Sequence, residues 1–297
     1  DDERSNEPAS VDEVDEQLRA VWGVSVEDEE SLVCQLEDEL SLETRLTPHF
    51  DRRALVRFLR ARKHDLVASK QMVLKALDWR ARQEVDAVLT DYSFPERPRF
   101  FEQFPEGFFC TDRGGRPVYV QQPGSINISE LLKFTTVDRC IQYHVQQQER
   151  YLQEICPAAS LVSGRYCEQS LVIVDLEGMG IATLNHDYRK ILGEVMSIDQ
   201  DNYPELMWKA LVVNAPTTFR VLWGMVKYLI DARTQAKVEV LGADQAAELQ
   251  RYIAPENLMT RYGGTNDAPL QDCPGPWQDS DIRRRVRQGD HLRLPCV

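Results

Sequence analysis

The spacing of apolar positions changes along this 297-residue chain, and the change separates a helical part from an α/β part. Leu55, Phe58 and Leu59 recur at i, i+3 and i+4, the stripe of a helix that seeks a core, while Arg57, Arg60, Arg62 and Lys63 crowd its other sides. The helical pattern continues from Asp65 to Arg80 through Leu66, Met72, Val73, Leu77 and Trp79, which predicts a helical block over 51–85. Upstream, residues 1–15 are acidic and poor in bulky apolar groups and predict a disordered lead-in. Between Glu16 and Leu46, apolar Leu18, Val21, Trp22, Leu32, Leu36, Leu40 and Leu42 stand among carboxylates and predict one or two surface helices. FPERPRF at 94–100 reads as a linker.

Beyond that linker the period shortens. CTDRGGRPVYVQQ, from Cys110, places a Gly-Gly turn between alternating runs and predicts a hairpin. Residues 129–154 and 183–201 carry helical spacing, whereas SLVIVDLEG from Ser170, KALVVNAP from Lys209 and AKVEVLG from Ala236 are short β-branched runs that end at turn residues. Strand, helix, strand, helix, strand implies crossover units and a mostly parallel sheet, so the fold class is α/β. One helix stands out. From Phe219 to Ile230 only Arg220, Gly224, Lys227 and Asp231 form a polar stripe, and the segment is apolar nearly all round. It is either an ordinary core helix or a lid with one face on a greasy cavity and the other able to touch a bilayer surface.

Charge narrows the function classes. Residues 1–45 carry sixteen Asp and Glu against three Arg, so the net charge of −13 resides there and the remainder balances. Without a broad basic surface, sequence-independent nucleic-acid binding is disfavoured. At the far end, Arg283, Arg284, Arg285, Arg287 and Arg293 oppose Asp281 and Asp290, giving a basic tail over 278–297 that would touch anionic lipid, fold back on the acidic lead or stay solvated. Seven scattered Cys with no C-x-x-C pair suggest reduced thiols rather than a disulfide framework or a zinc site. No apolar run reaches the roughly 18 to 20 residues that span a bilayer, so a soluble protein is expected. The sequence does not begin with Met, which leaves an upstream targeting segment open.

Catalytic patterns fail on inspection. Cys110 and Arg116 have the spacing with which tyrosine phosphatases surround a phosphoryl group, but Arg116 runs into Pro117, Val118 and Tyr119 rather than a helix amino terminus, and the hairpin reading prevails. GMG at 178–180 lacks a third glycine, and no G-x-S-x-G or P-loop occurs. The five His lack metal-ligand spacing and read as structural or solvated, so no catalytic residue, metal or cofactor is expected.

RFLRARK, DRGGRPVYV, VDLEGMG, YPELMWKALVVNAP, the apolar helix, KVEVLG and IAPENLMTRYGG occur in one order over roughly Phe50 to Trp277. In that order they resemble the CRAL-TRIO lipid-binding family, specifically its yeast-type phosphatidylinositol transfer proteins. The resemblance implies an amino-terminal helical bundle over 46–95, after the acidic lead of 1–45, and a lobe over 96–277 whose sheet floors a hydrophobic pocket gated by a helix. Phe219, Leu222, Trp223, Met225, Val226, Leu229 and Ile230 would form the gate. It implies a phosphatidylinositol headgroup held by Arg62, Glu205, Thr234 and Lys237, a set suited to a phosphodiester and inositol hydroxyls.

Two departures bear on a second lipid. Family members that also carry phosphatidylcholine place a Ser and a Thr two residues apart before VDLEG, whereas this chain has Ser170 and Val172, and the basic position after Glu205 is Leu206. Tyr119 would still line that side. The resemblance therefore implies a monomeric, cytoplasmic, non-enzymatic phosphatidylinositol carrier that meets membranes of Golgi or endosome type transiently and presents lipid to kinases. A lipid-regulated sensor or scaffold, or a carrier of another hydrophobic ligand such as a sterol, stays open beside it.

Overall fold

The computed structural model describes residues 11–43, 46, 50–181 and 183–294. Its two compact units meet in sequence between Glu84 and Val85. The first unit contains α1 (Val11–Trp22), α2 (Val26–Glu39), α3 (Arg52–Ala61) and α4 (Leu66–Arg82). Side-chain caps start three of these helices: Ser25 and Asp28 form a reciprocal capping box on α2, Asp51 accepts from the Ala54 amide and Asp65 from the Ala68 amide. Val33, Leu36 and Leu40 are fully buried against Leu55, Phe58, Leu59, Val73 and Leu77. The expectation of surface helices is thus corrected for α2, whose i, i+3, i+7 stripe is buried in this core. Helix α1 begins inside the stretch expected to be disordered, and residues 1–10 of that stretch lie outside the described residues.

The second unit opens with α5 (Val88–Asp91) and α6 (Arg97–Gln103) and continues with β1 (Glu106–Thr111), β2 (Pro117–Gln121), α7 (Ile128–Leu131), α8 (Val137–Arg150) and α9 (Cys156–Ser163). Then follow β3 (Ser170–Asp175), α10 (His186–Asn202), β4 (Met207–Val213), α11 (Phe219–Val226), α12 (Ala232–Ala236), β5 (Val238–Val240), α13 (Gln245–Tyr252) and α14 (Ser280–Arg287). The linker expected at 94–100 is not one: Phe94 and Phe100 are buried, stack around Tyr143, and α6 starts at Arg97 because Pro98 is tolerated in a first helical turn. The unit starts ahead of the expected boundary at 95/96, since the Gln146 side chain of α8 donates to the carbonyls of Val88 and Tyr92 and binds α5 to the lobe.

Strand order follows chain order from β1 to β5, with β1 antiparallel to β2 and every other pair parallel. Crossovers of constant hand that step in one direction leave their helices on one face, so α8, α10 and α11 share a face. The alternation of side chains separates two cores. Val118, Val120, Leu171, Ile173, Leu211 and Val213 pack under α13 and the chain that follows it, while Val174, Val212 and Val238 face α8, α10 and α11. Residues 280–294 are not a free tail: α14 and a 3-10 turn at Asp290–Arg293 belong to the second unit and pack on α9, with all five arginines exposed. Residues 295–297 lie outside the described residues.

Candidate functional site

Beneath α11, Val174, Val195, Ala215, Phe219, Met225, Val226 and Val238 pack around the same buried cluster, and each keeps part of its surface accessible. Of the expected gate residues, Leu222 is fully buried and Phe219, Trp223, Met225, Val226, Leu229 and Ile230 are half-buried. Arg220, Val221, Gly224, Lys227 and Tyr228 point outward, with Val221 53% and Tyr228 69% exposed, so the outer face also carries apolar surface.

The gate is shorter than its sequence suggests. Helix α11 stops at Val226 and a 3-10 turn takes Lys227–Leu229, which corrects the expectation of one helix to Ile230. At its end Gln235 donates to the Lys227 and Ile230 oxygens at 2.9 and 2.8 Å, and Gln200 donates to that of Leu229 at 2.8 Å.

Three of the four residues of the expected headgroup set come together at the start of β4 and β5. Lys237 Nζ donates to Glu205 Oε2 at 3.0 Å and to the Met207 carbonyl at 2.8 Å. Arg233, missed in the sequence reading, brings its Nε within 3.9 Å of Glu205 Oε1. Thr234 sits in the first turn of α12, where its hydroxyl donates to Asp231, the cap of that helix. Asp231 is held below its usual range: burial pushes it upward, but hydrogen bonds from Thr234 and Arg233 outweigh this. The cluster offers two cations, a hydroxyl and two carboxylates, the groups that a phosphodiester joined to a polyol would engage.

Arg62 belongs to the first unit. It caps the end of α3, and its guanidinium donates to the Ala61 carbonyl at 3.3 Å. Lys63 and His64 then adopt left-handed backbone, φ 53° and 62°, which non-glycine residues take at a cost of about 1 kcal/mol or more each. A buried carboxylate holds this turn. Glu29 of α2 accepts from Arg60 Nη2 at 2.7 Å and Nε at 2.9 Å, and lies 2.7 Å from His64 Nε2. The Trp22 ring closes edge-on to His64. Burial pushes the Glu29 carboxyl upward, but Arg60 and His64 bring it below its ordinary value. The acidic run around Glu29 reads as a solvated surface, so nothing in its pattern singles this residue out.

On the β1–β2 side, Tyr119 stands opposite Val172 in register, on the same face of the sheet. Ser170 is buried at the start of β3, and its hydroxyl donates to the Leu206 carbonyl at 3.3 Å. The sequence reading passed over three further groups here. Glu106, His144 and Asp199 lie within mutual Coulombic reach, with Glu106 hydrogen-bonded to Tyr119. Burial pushes the Glu106 carboxyl up and the Tyr119 phenol well up. Burial opposes charge on His144 too, but Asp199, 2.7 Å away, overrides it and raises its pKa. Cys110 lies at a bulge in β1 with φ 53°, and burial pushes its thiol up to about 11, the reverse of an activated nucleophile. Arg116 is engaged by Asp112 and stacks over Trp208.

A partly accessible apolar face, a short helix over it and a cluster of cations and carboxylates at the edge of the same sheet make up the candidate site. The family model described as CRAL/TRIO domain matches residues 102–264, and the chain belongs to that family. Over 237 residues it is 35% identical to Sec14 cytosolic factor of Schizosaccharomyces pombe, covering 78% of this chain and 82% of that protein. It is 35% identical over 248 residues to phosphatidylinositol/phosphatidylcholine transfer protein SFH12 of Arabidopsis thaliana, covering 82% of this chain but 46% of the plant protein. The chain also spans only 40% of SFH4 of the same plant. The crystal structure of Sfh5 superposes with a TM-score of 0.63 over 90% of this chain and 98% of the other at 16% identity, which speaks to the fold. Among the described residues no helix is long and apolar enough to cross a membrane and no metal cluster occurs.

Proposed function

We propose that this protein binds one phosphatidylinositol molecule, encloses its acyl chains between the sheet and α11, and exchanges it at membrane surfaces. The observation that carries this reading is the Glu205–Lys237–Arg233 cluster, with Thr234 beside it, at the edge of a sheet whose next residue, Val238, lines the apolar space. The printed names of the relatives support the lipid class. At about 0.8 kcal/mol per buried methylene, two acyl chains keep the ligand in a closed carrier until a bilayer replaces the cavity wall. Val221 and Tyr228, flanked by Arg220 and Lys227, give α11 an outer surface suited to a bilayer interface.

The test is mass spectrometry of lipids retained after incubation with mixed liposomes, comparing the parent with Lys237→Ala. Parent protein should retain phosphatidylinositol above its share of the liposomes, and the variant should lose that enrichment while keeping its thermal transition. Equal lipid profiles in both would leave Lys237 a purely structural residue and defeat the headgroup assignment.

A further inference from the structure

The segment from Asp279 to Leu294 is ordered, basic and turned outward. Asp279 caps α14, accepting from the amides of Asp281 and Ile282 at 2.8 and 3.0 Å, and Gly289, in left-handed backbone at φ 78°, ends the helix. Ile282 and Val286, one turn apart, are half-buried where α14 packs on α9. Just ahead of the helix Trp277 is buried, and its indole donates to the Cys273 carbonyl at 2.8 Å. These contacts fix which side of α14 meets solvent. On that side and its flanks stand Arg283, Arg284, Arg285 and Arg287, all exposed, and the 3-10 turn that follows adds Arg293.

Counter-charge is scarce there. Asp281 takes Arg284 at 2.8 Å and Asp290 takes Arg285 at 3.1 Å, while Asp279 is committed to the helix amides. Arg283, Arg287 and Arg293 have no acidic partner among the described residues. Helix α9 beneath them supplies none, since Cys156–Ser163 contains no charged residue. In a chain of net charge −13, three unanswered guanidinium groups on one fixed segment reverse the local sign. Arg283 and Arg287, four residues apart, share one flank of α14, and Leu292, 60% exposed, stands in the turn beside Arg293.

A guanidinium group is forked and weakly hydrated, and it meets phosphate oxygens two at a time. An exposed leucine among such groups fits the layer where lipid phosphates give way to acyl chains better than it fits an acidic protein surface. We propose that α14 and the turn after it form a docking surface for an anionic bilayer, with Arg283, Arg287 and Arg293 on lipid phosphates and Leu292 at the headgroup boundary. Arg284 and Arg285 bring their own carboxylates and add little net charge. The surface is not part of the gate, because α14 packs on α9, which precedes β3, whereas α11 follows β4. It acts as a tether: it adds a preference among membranes to the carrier reading and does not depend on the headgroup cluster.

The test is flotation of full-length protein with phosphatidylcholine vesicles, with and without about one-third phosphatidylserine. Parent protein should bind the anionic vesicles and leave them as salt rises from about 0.1 to 0.5 M, while neutral vesicles bind it weakly throughout. Each cation held at an anionic leaflet raises partitioning by up to about fivefold, so Arg283→Gln/Arg287→Gln/Arg293→Gln should lower binding at least about tenfold. Two controls separate this surface from bulk charge. Asp281→Asn/Arg284→Gln removes an ion pair at constant net charge, and Lys75→Gln/Arg82→Gln removes exposed cations from α4; both should bind within about twofold of the parent. The substituted arginines are exposed, so the triple variant should keep the parent's thermal transition. Parent protein that ignores anionic vesicles overturns the inference, as does a triple variant that floats like the parent or an α4 control that loses as much. Phosphatidylinositol retention is measured on the same proteins: a parent that floats through α14 yet retains no phosphatidylinositol defeats the carrier reading and leaves the docking surface standing.

Discussion

Replacing Glu29 by Gln removes a charge and keeps the shape, so its effect isolates the clamp on the Arg62 turn. The carboxylate accepts two bonds from Arg60 and one from His64, and its side chain is only 9% exposed. Hydrogen bonds to charged groups contribute about 1.5–3 kcal/mol each when buried. Arg60 is 22% exposed and can turn toward water, whereas His64, at 4%, cannot. A loss of about 2–4 kcal/mol of folding stability in the first unit follows. Urea unfolding of the full chain, read together with amide exchange in α2 and α3, measures it. The acid side of the stability profile offers a separate check. Because the folded carboxyl lies below its ordinary value, its contribution is present above the unfolded pKa of about 4.3 and is lost as pH falls through the folded one. Parent and variant should therefore converge in acid. A Gln variant within about 0.5 kcal/mol of the parent at neutral pH would refute the clamp.

Other outcomes follow from the lobe. Gln200 latches the end of the gate, donating to the Leu229 carbonyl and accepting from the Asp231 amide at 3.2 Å, so Gln200→Leu should speed lipid exchange between liposomes about tenfold; an unchanged rate would remove the latch. Cys110, with its thiol near 11, should resist iodoacetamide at about pH 8 in folded protein and react on unfolding, and Cys110→Ser should transfer lipid normally. Rapid labelling of the native thiol would contradict its burial. His144 has a raised folded pKa, so its contribution is complete below about 6.5 and is lost as pH rises through the folded value; Glu106, also raised, acts in the same direction from about 4.3 upward. Melting temperature should fall between about pH 6 and pH 8.5 and flatten in Glu106→Gln/His144→Leu, and an equally steep profile in that variant would assign the dependence elsewhere.

The sheet was legible because its signals are local. A Gly-Gly turn between alternating runs gave the β1–β2 hairpin, and the β-branched runs at Ser170 and Lys209 became the central parallel strands β3 and β4. What failed depended on partners distant in sequence. Two prolines made 94–100 look like a linker, but Phe94 and Phe100 had a buried Tyr143 to meet. Leu229 and Ile230 continue the apolar pattern of α11, yet the helix ends at Val226, and glutamines from α10 and α12 bind the carbonyls of the turn that follows. Polar groups were hardest to read. Lys237 and Glu205 were found through the resemblance and do meet, whereas Arg233, Glu29, Glu106, His144 and Asp199 have roles set by what faces them, and no periodicity encodes that.

Backbone strain adds an independent marker. Of the seven non-glycine residues with positive φ among the described residues, Lys63 and His64 directly follow Arg62, and Glu205, at φ 60°, is itself in the proposed headgroup set. Each such position costs about 1–3 kcal/mol unless its surroundings fix it. At Glu205 they do: Gln169 holds its carbonyl at 3.1 Å and Lys237 its carboxylate at 3.0 Å. At His64 the Glu29 carboxylate and the Leu59 carbonyl, 2.8 Å from the His64 amide, serve the same end. Glycine would relieve the strain at either place at the expense of a rigid turn, so the charged neighbour that fixes each position, Glu29 at His64 and Lys237 at Glu205, is what keeps the side chain in place within its own unit.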